Sequence, residues 1–220
     1  RGYVQSSWFN HWTSILIEDI FKDNKKVIPT VGLIKKVDFF ISNVPFDLKV
    51  TYFPEGYMFA KRKALGMPTE IQLLKRFAKS KGIQYDKTQK DKSLMSELLT
   101  RISERTDVES KKFIVELKEA RWKIVEDTIK DKKSLIKWLY EEQGERRFDP
   151  ANRLFLVLID KENMEESWKM KRNIELLGDG VNSYLDKFNA KDTSKFDIEF
   201  DWIDGKKYNT VSDAIFILKK

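Results

Sequence analysis

Hydrophobic positions along the chain switch between a helical and a strand period, and the switches outline its elements. Trp8, Trp12, Ile15 and Leu16 recur at helical spacing, with Ser6 or Ser7 able to cap the start, and predict a first helix running to about Phe21. Asp23-Asn24 ends it. Val27, Ile28, Pro29 and a Gly32 turn then lead to residues 37–41, a run rich in β-branched and aromatic side chains that reads as a short strand. Beyond the Ser42-Asn43 turn signal, residues 46–53 alternate. Phe46, Leu48, Val50 and Tyr52 fall on one side and Asp47, Lys49 and Thr51 on the other, the period of a strand with two unlike faces.

From Pro68 the helical period returns. Ile71, Leu74 and Phe77 mark a helix ended by Gly82, Leu94, Leu98 and Ile102 mark a second, and Phe113, Leu117, Ala120 and Ile124 mark a third running towards Gln143. Gly144 and Pro150 break the pattern. Residues 154–159 form a continuous apolar run of the kind found in a strand covered on both faces. Ile174, Leu177, Val181, Tyr184 and Phe188 predict another helix, with a candidate interruption at Gly178-Asp179-Gly180. Two or three strands close the chain, around residues 196–203, a turn at Asp204-Gly205, and residues 214–218. The order is that of a mixed α/β protein.

Composition narrows the classes. The chain has 220 residues, 41% hydrophobic and 35% charged, with no cysteine and one histidine, His11. At this length a chain buries roughly 70% of its unfolded surface and needs no disulfide staples. Cys-based metal sites are excluded, and a lone histidine argues against a Ser-His-Asp triad. No uncharged apolar run approaches the roughly 20 residues of a membrane helix, and no secretory leader is legible, so the expectation is a cytoplasmic protein without a membrane partner. The net charge of +7 is unevenly placed. Residues 1–60 hold 7 basic and 6 acidic side chains, residues 61–133 hold 20 and 12, and residues 134–220 hold 15 and 17. A positive surplus confined to the helical third attracts polyanions, nucleic acid foremost.

Three acidic residues and a lysine stand out against this background. Asp47 and Lys49 occupy positions i and i+2 of the alternating strand and share a face, Asp38 sits in the apolar strand before it, and Glu18 lies on the first helix. A carboxylate in an apolar strand is unfavourable unless its charge is compensated, and a bound divalent cation compensates it. Two carboxylates on neighbouring strands suit Mg²⁺, with Mn²⁺ a substitute, because Mg²⁺ takes hard oxygen ligands and keeps several waters. A lysine two residues along can hydrogen-bond an attacking water and stabilise charge developing on a phosphate. Glu18 can approach from the helix directly or through a water on the metal.

In this order the residues resemble the PD-(D/E)xK nuclease superfamily, whose core carries a glutamate on a helix, an aspartate on a strand and a (D/E)-x-K on the next. The contexts Val37-Asp38-Phe39-Phe40 and Pro45-Phe46-Asp47-Leu48-Lys49-Val50-Thr51 are similar to prokaryotic type II restriction endonucleases. Val37 stands where the motif's name has proline. The resemblance implies a restriction-endonuclease-like mixed β-sheet core flanked by helices. Residues 61–145 are then a largely helical, basic insertion after the D-x-K strand within a single nuclease domain. It further implies Asp38, Asp47 and the Leu48 carbonyl as metal ligands, Lys49 as the water-positioning group and Glu18 as an auxiliary acid that joins the metal set. Double-stranded DNA is the implied substrate, cut to 5′-phosphate and 3′-hydroxyl ends, and a homodimer suits a palindromic site.

Basic residues near these strands are the candidate DNA contacts: Lys35 and Lys36 before Asp38, Lys61, Arg62 and Lys63 after the D-x-K strand, and Lys118 and Arg121 on the long helix. His11, one heptad before Glu18, is weighed against packing. The alternation of Asp197, Glu199 and Asp201 with Ile198, Phe200 and Trp202 reads as an amphipathic strand with its acidic edge in water. Two other readings stay open: a repair, recombination or mobile-element nuclease of the same fold, and a non-catalytic nucleic-acid-binding protein.

Overall fold

A computed structural model describes residues 2–31, 36–142, 150–202 and 204–219. Its elements run α1 (Gly2–Lys22), β1 (Val27–Pro29), β2 (Phe39–Ile41), β3 (Val44–Tyr52), α2 (Glu55–Ala64), α3 (Glu70–Ser80), α4 (Asp91–Ser103), α5 (Val108–Lys130), α6 (Lys132–Glu142), β4 (Arg153–Asp160), α7 (Ile174–Lys187), β5 (Asp197–Asp201), β6 (Lys207–Val211) and β7 (Asp213–Lys219). They form two compact units, one of residues 1–53 with 128–220 and one of residues 54–127.

The first unit is mixed α/β. Its five-stranded sheet has the order β1-β2-β3-β4-β7, antiparallel through β1, β2 and β3 and parallel through β3, β4 and β7. β4 reads as an unbroken apolar run because it lies inside the sheet with helices on both faces, and all eight of its residues are buried. Leu154, Leu156 and Leu158 join Ile17 and Phe21 of α1 and Leu177, Val181 and Leu185 of α7 in one core. On the opposite face Phe155 meets the ring of Tyr140 from α6 edge-on at 5.8 Å. The acidic run 197–201 is β5, paired with β6 in a separate hairpin, with Asp197, Glu199 and Asp201 exposed and Ile198 and Phe200 buried.

A two-residue turn sets the register that matters most. Ile41 pairs with Val44, so Ser42 and Asn43 alone reverse the chain, both at positive φ (48° and 73°) as in a type I′ hairpin. Left-handed backbone is unfavourable for residues other than glycine and, to a lesser degree, asparagine. Changing the pair to Asn-Gly through Ser42→Asn and Asn43→Gly is therefore expected to stabilise the unit by about 1 kcal/mol, raising the melting temperature by roughly 2–4 °C in a thermal scan. An unchanged or lower melting temperature would show that the turn does not limit the hairpin.

Several sequence expectations are corrected here. The predicted stripe on α1 is real as a period, yet Trp8, Trp12, Ile15 and Leu16 are exposed; Thr13, Ile17 and Phe21 face inwards, with Phe21 stacked on Phe39 at 4.9 Å. Both stripes satisfy helical spacing, and the sheet selects between them. The predicted strand 37–41 begins only at Phe39, leaving Asp38 at its edge. One long helix towards Gln143 is instead α5 and α6, divided at Asp131, and Gln143 lies outside the described residues. Gly178-Asp179-Gly180 does not interrupt α7. A Cβ at Gly180 would fall 2.1 Å from Ile217 Cδ1, so this glycine serves the close approach of helix to strand.

Residues 54–127 are all-helical among the described elements, where the sequence predicts a helical insertion over 61–145. Leu74 and Ala78 of α3, Leu94, Leu98 and Ile102 of α4, and Leu117 of α5 make its core, with Phe77 stacked on Phe113 at 4.2 Å. Thr69 caps α3 in a reciprocal capping box with Gln72. The unit carries 17 basic and 12 acidic side chains.

Candidate active site

The β2–β3 hairpin brings Asp38 beside Leu48. Asp38 N–H donates to Phe46 O at 2.9 Å, continuing the ladder one step past β2, and the Asp38 side chain then takes the next place: its Oδ2 accepts from Leu48 N–H at 2.7 Å. Asp47 N–H turns the other way and donates to Asn152 O at 3.0 Å, on the β4 side. Successive residues of a strand direct their peptide groups to opposite edges, so the Leu48 carbonyl shares the Asp38 side with its own N–H. The sequence-predicted set of Asp38 and the Leu48 carbonyl therefore meets at one edge of β3, where β2 stops.

Charge is concentrated there. Burial pushes the Asp38 carboxyl above the usual carboxylate range; the Leu48 N–H pulls it down, the negative charges of Glu18 and Asp47 push it up again, and Lys49 opposes them. The charges of Glu18 on α1 and of Asp47 on β3 thus both reach Asp38 at the strand edge. Glu18 itself is held by Lys22 one turn on, at 3.1 Å.

Asp47 is buried between two cations. Lys49 Nζ lies 2.6 Å from Oδ1 and Arg153 Nε donates to Oδ2 at 3.3 Å. Arg153 heads β4 and is the register partner of Asp47. Its position before the apolar run was visible in the sequence, but its pairing with Asp47 is a matter of strand register across more than a hundred residues.

Among the described residues no group of three or more carboxylate or imidazole side chains stands ready to hold a metal ion. What stands here is smaller: two aspartates and a backbone carbonyl, with burial first and the charges of Glu18 and Asp47 after it disfavouring ionised Asp38. Such a set suits a hydrated Mg²⁺, which binds through one or two carboxylates and retains water, and does not suit a closed protein cage. A cation at Asp47 Oδ1 competes with Lys49 for it.

The raised Asp38 value has a consequence for stability. Ionised Asp38 destabilises the metal-free protein at pH above its unfolded-state value; as pH falls through the raised folded value, the carboxyl takes up a proton and the penalty disappears. Asp38→Asn keeps an oxygen for Leu48 N–H and is expected to melt higher than wild type at neutral pH, the gap closing in acid. Thermal unfolding across pH without divalent metal tests this, and a wild type that melts as high as the variant at neutral pH would contradict it.

The predicted DNA contacts fall into separate classes. Lys36 is exposed in a left-handed turn two residues before Asp38, and Lys35 lies outside the described residues. Lys63 and Lys118 are exposed, and Lys61 lies 5.3 Å over the Tyr57 ring. Two expectations are corrected. Arg62 is 1% exposed, donating to Pro68 O and paired with Glu70, and Arg121 grips the same Glu70 through Nε at 2.9 Å and Nη2 at 2.6 Å. Both guanidinium groups are committed to an internal carboxylate rather than presented to a polyanion. His11 is exposed beside Trp12.

No helix among the described residues is long and apolar enough to cross a membrane. No protein-family model, curated protein or solved structure matches the chain.

Proposed function

We propose that the protein is a Mg²⁺-dependent DNA endonuclease with a restriction-endonuclease-like core, acting on double-stranded DNA as a type II restriction enzyme, with Mn²⁺ able to replace Mg²⁺. The observation that carries this reading is the junction of Asp38 with the D-x-K strand: Asp38 is locked onto Leu48 N–H, and Asp47, whose charge reaches Asp38, stands beside Lys49. A salt bridge kept for stability alone gives no reason for a half-buried carboxylate to stand at the strand edge within reach of the charges of Glu18 and Asp47.

Each residue has a task in phosphodiester hydrolysis. Asp38 and Asp47 offer carboxylate oxygens at the strand edge and the Leu48 carbonyl adds a third. Bound there, Mg²⁺ supplies positive charge to the phosphoryl oxygens and lowers the pKa of water. Lys49, about a third exposed, would turn from Asp47 towards the attacking water and the charge developing on the phosphate. Glu18, fixed by Lys22, adds negative potential from the helix side. Lys36, Lys61, Lys63 and Lys118 are the basic residues proposed for phosphate contact, and a two-fold homodimer is the proposed assembly on a palindromic site.

Purified protein incubated with supercoiled and phage DNA, with Mg²⁺ or with chelator, tests the proposal. Discrete Mg²⁺-dependent fragments are expected. Nicking that follows DNA structure would reassign the same chemistry to repair, recombination or a mobile element. DNA binding with no metal-dependent cleavage would discard the nuclease reading.

A further inference from the structure

Asp47 lies between two cations of unequal exposure. The Lys49 side chain is 32% exposed on its strand, whereas that of Arg153 is 3% exposed and tied down on several sides. Its guanidinium stacks over the Tyr140 ring at 4.9 Å, and its backbone N–H donates to Ser212 Oγ at 3.1 Å. The hydroxyls behind it form a chain with one consistent direction. Tyr140 O–H donates to Ala151 O at 2.6 Å, so its oxygen receives Ser212 O–H at 2.7 Å, and Ser212 Oγ in turn receives Thr210 O–H at 3.1 Å. Tyr140 is itself clamped against Phe200, with ring centroids 4.2 Å apart. Aromatic stacking and an ordered hydroxyl chain thus fix a guanidinium whose Nε–H reaches Asp47 Oδ2.

We infer that Arg153 is the positioning residue of the site. It holds Asp47 by Oδ2, keeps Oδ1 turned to the Lys49 side, and neutralises the buried carboxylate so that Lys49 can leave when a cation arrives. This rests on the metal-site reading of Asp38 and Asp47. With one cation alone on Asp47, the group that balances its charge in the core would also be the group required at the water. Two cations separate the tasks. Groups that orient a metal-binding carboxylate typically contribute 10- to 100-fold in metal affinity or rate.

Arg153→Lys separates position from charge, because it keeps one positive charge and loses both the planar Nε–H donor and the ring stack. Mg²⁺ is titrated without DNA and followed by thermal stabilisation, and cleavage is then measured at saturating Mg²⁺. The Mg²⁺ concentration for half-maximal stabilisation is expected to rise about 10- to 100-fold, and kcat to fall by a similar factor with KM for DNA unchanged. Equal half-saturation and equal kcat in variant and wild type would overturn the role of Arg153 and leave the metal site standing. A wild type that gains no stability from Mg²⁺ would overturn the metal site and this role together. Should Arg153→Lys fail to fold, the Arg153 Nε–H resonance of ¹⁵N-labelled wild type decides: a shift on adding Mg²⁺ is expected, and an unmoved resonance overturns the proposal.

Discussion

Asp47→Asn is expected to lower the Mg²⁺-dependent cleavage rate by about 10³-fold or more while the protein stays folded, the magnitude associated with losing a group that manages charge at a reacting centre. The choice of asparagine is dictated by Arg153. Asp47→Ala would take both the charge and the acceptor oxygens away from that buried guanidinium, and breaking a buried pair from one side costs about 3–5 kcal/mol. Loss of activity in the alanine variant would then confuse an unfolded protein with an inactive one. Asparagine also removes the charge a cation needs and so melts below wild type, but it keeps the shape and one acceptor oxygen for Arg153 and is the milder of the two changes. Single-turnover cleavage measured beside the melting temperature separates the two effects. Cleavage within tenfold of wild type in a folded Asp47→Asn protein would remove Asp47 from the chemistry.

The second large effect is expected in the helical unit, at Glu70. This carboxylate serves two guanidinium groups, Arg62 inside the helical unit and Arg121 on α5, and burial together with the charge of Arg121 already pulls the Arg62 value down while Glu70 holds it up. Glu70→Gln removes the negative charge that both guanidinium groups share and should destabilise residues 54–127 by about 3–5 kcal/mol. Amide hydrogen exchange in α3 and α5 should accelerate by roughly 10²- to 10³-fold. Replacing all three residues with methionine should recover most of the loss, because a packed apolar trio carries no desolvation penalty. Unchanged exchange in Glu70→Gln would mean that the two arginines find other partners.

The candidate-site residues and the helical third were legible to different depths. Asp38, Asp47 and Lys49 could be singled out because a charged residue in an apolar or alternating strand violates the local pattern, and such violations are where function concentrates. The Ser42-Asn43 signal correctly marked the turn that joins them. Arg62 and Arg121 were misread for the complementary reason. On a sequence a basic residue in a lysine-rich helical block looks like surface, and only packing shows that Glu70, eight and fifty-one residues away, claims both. β6 had no apolar alternation strong enough to be found beside β5, and its identity comes from pairing.

By itself, then, the sequence determined the periods, the turns, the class and the candidate carboxylates, because these depend on interactions within a few residues. It also located the positive surplus in the helical third. The tertiary structure alone decided which stripe of α1 is buried, since Trp8-Trp12-Leu16 and Thr13-Ile17-Phe21 satisfy one helical period equally and only the sheet beneath discriminates. It alone decided that Asp38 caps the ladder at Leu48 and that Asp47 has Arg153 for a neighbour. Register between strands separated by a hundred residues is fixed by how whole faces pack, and no local pattern carries that information.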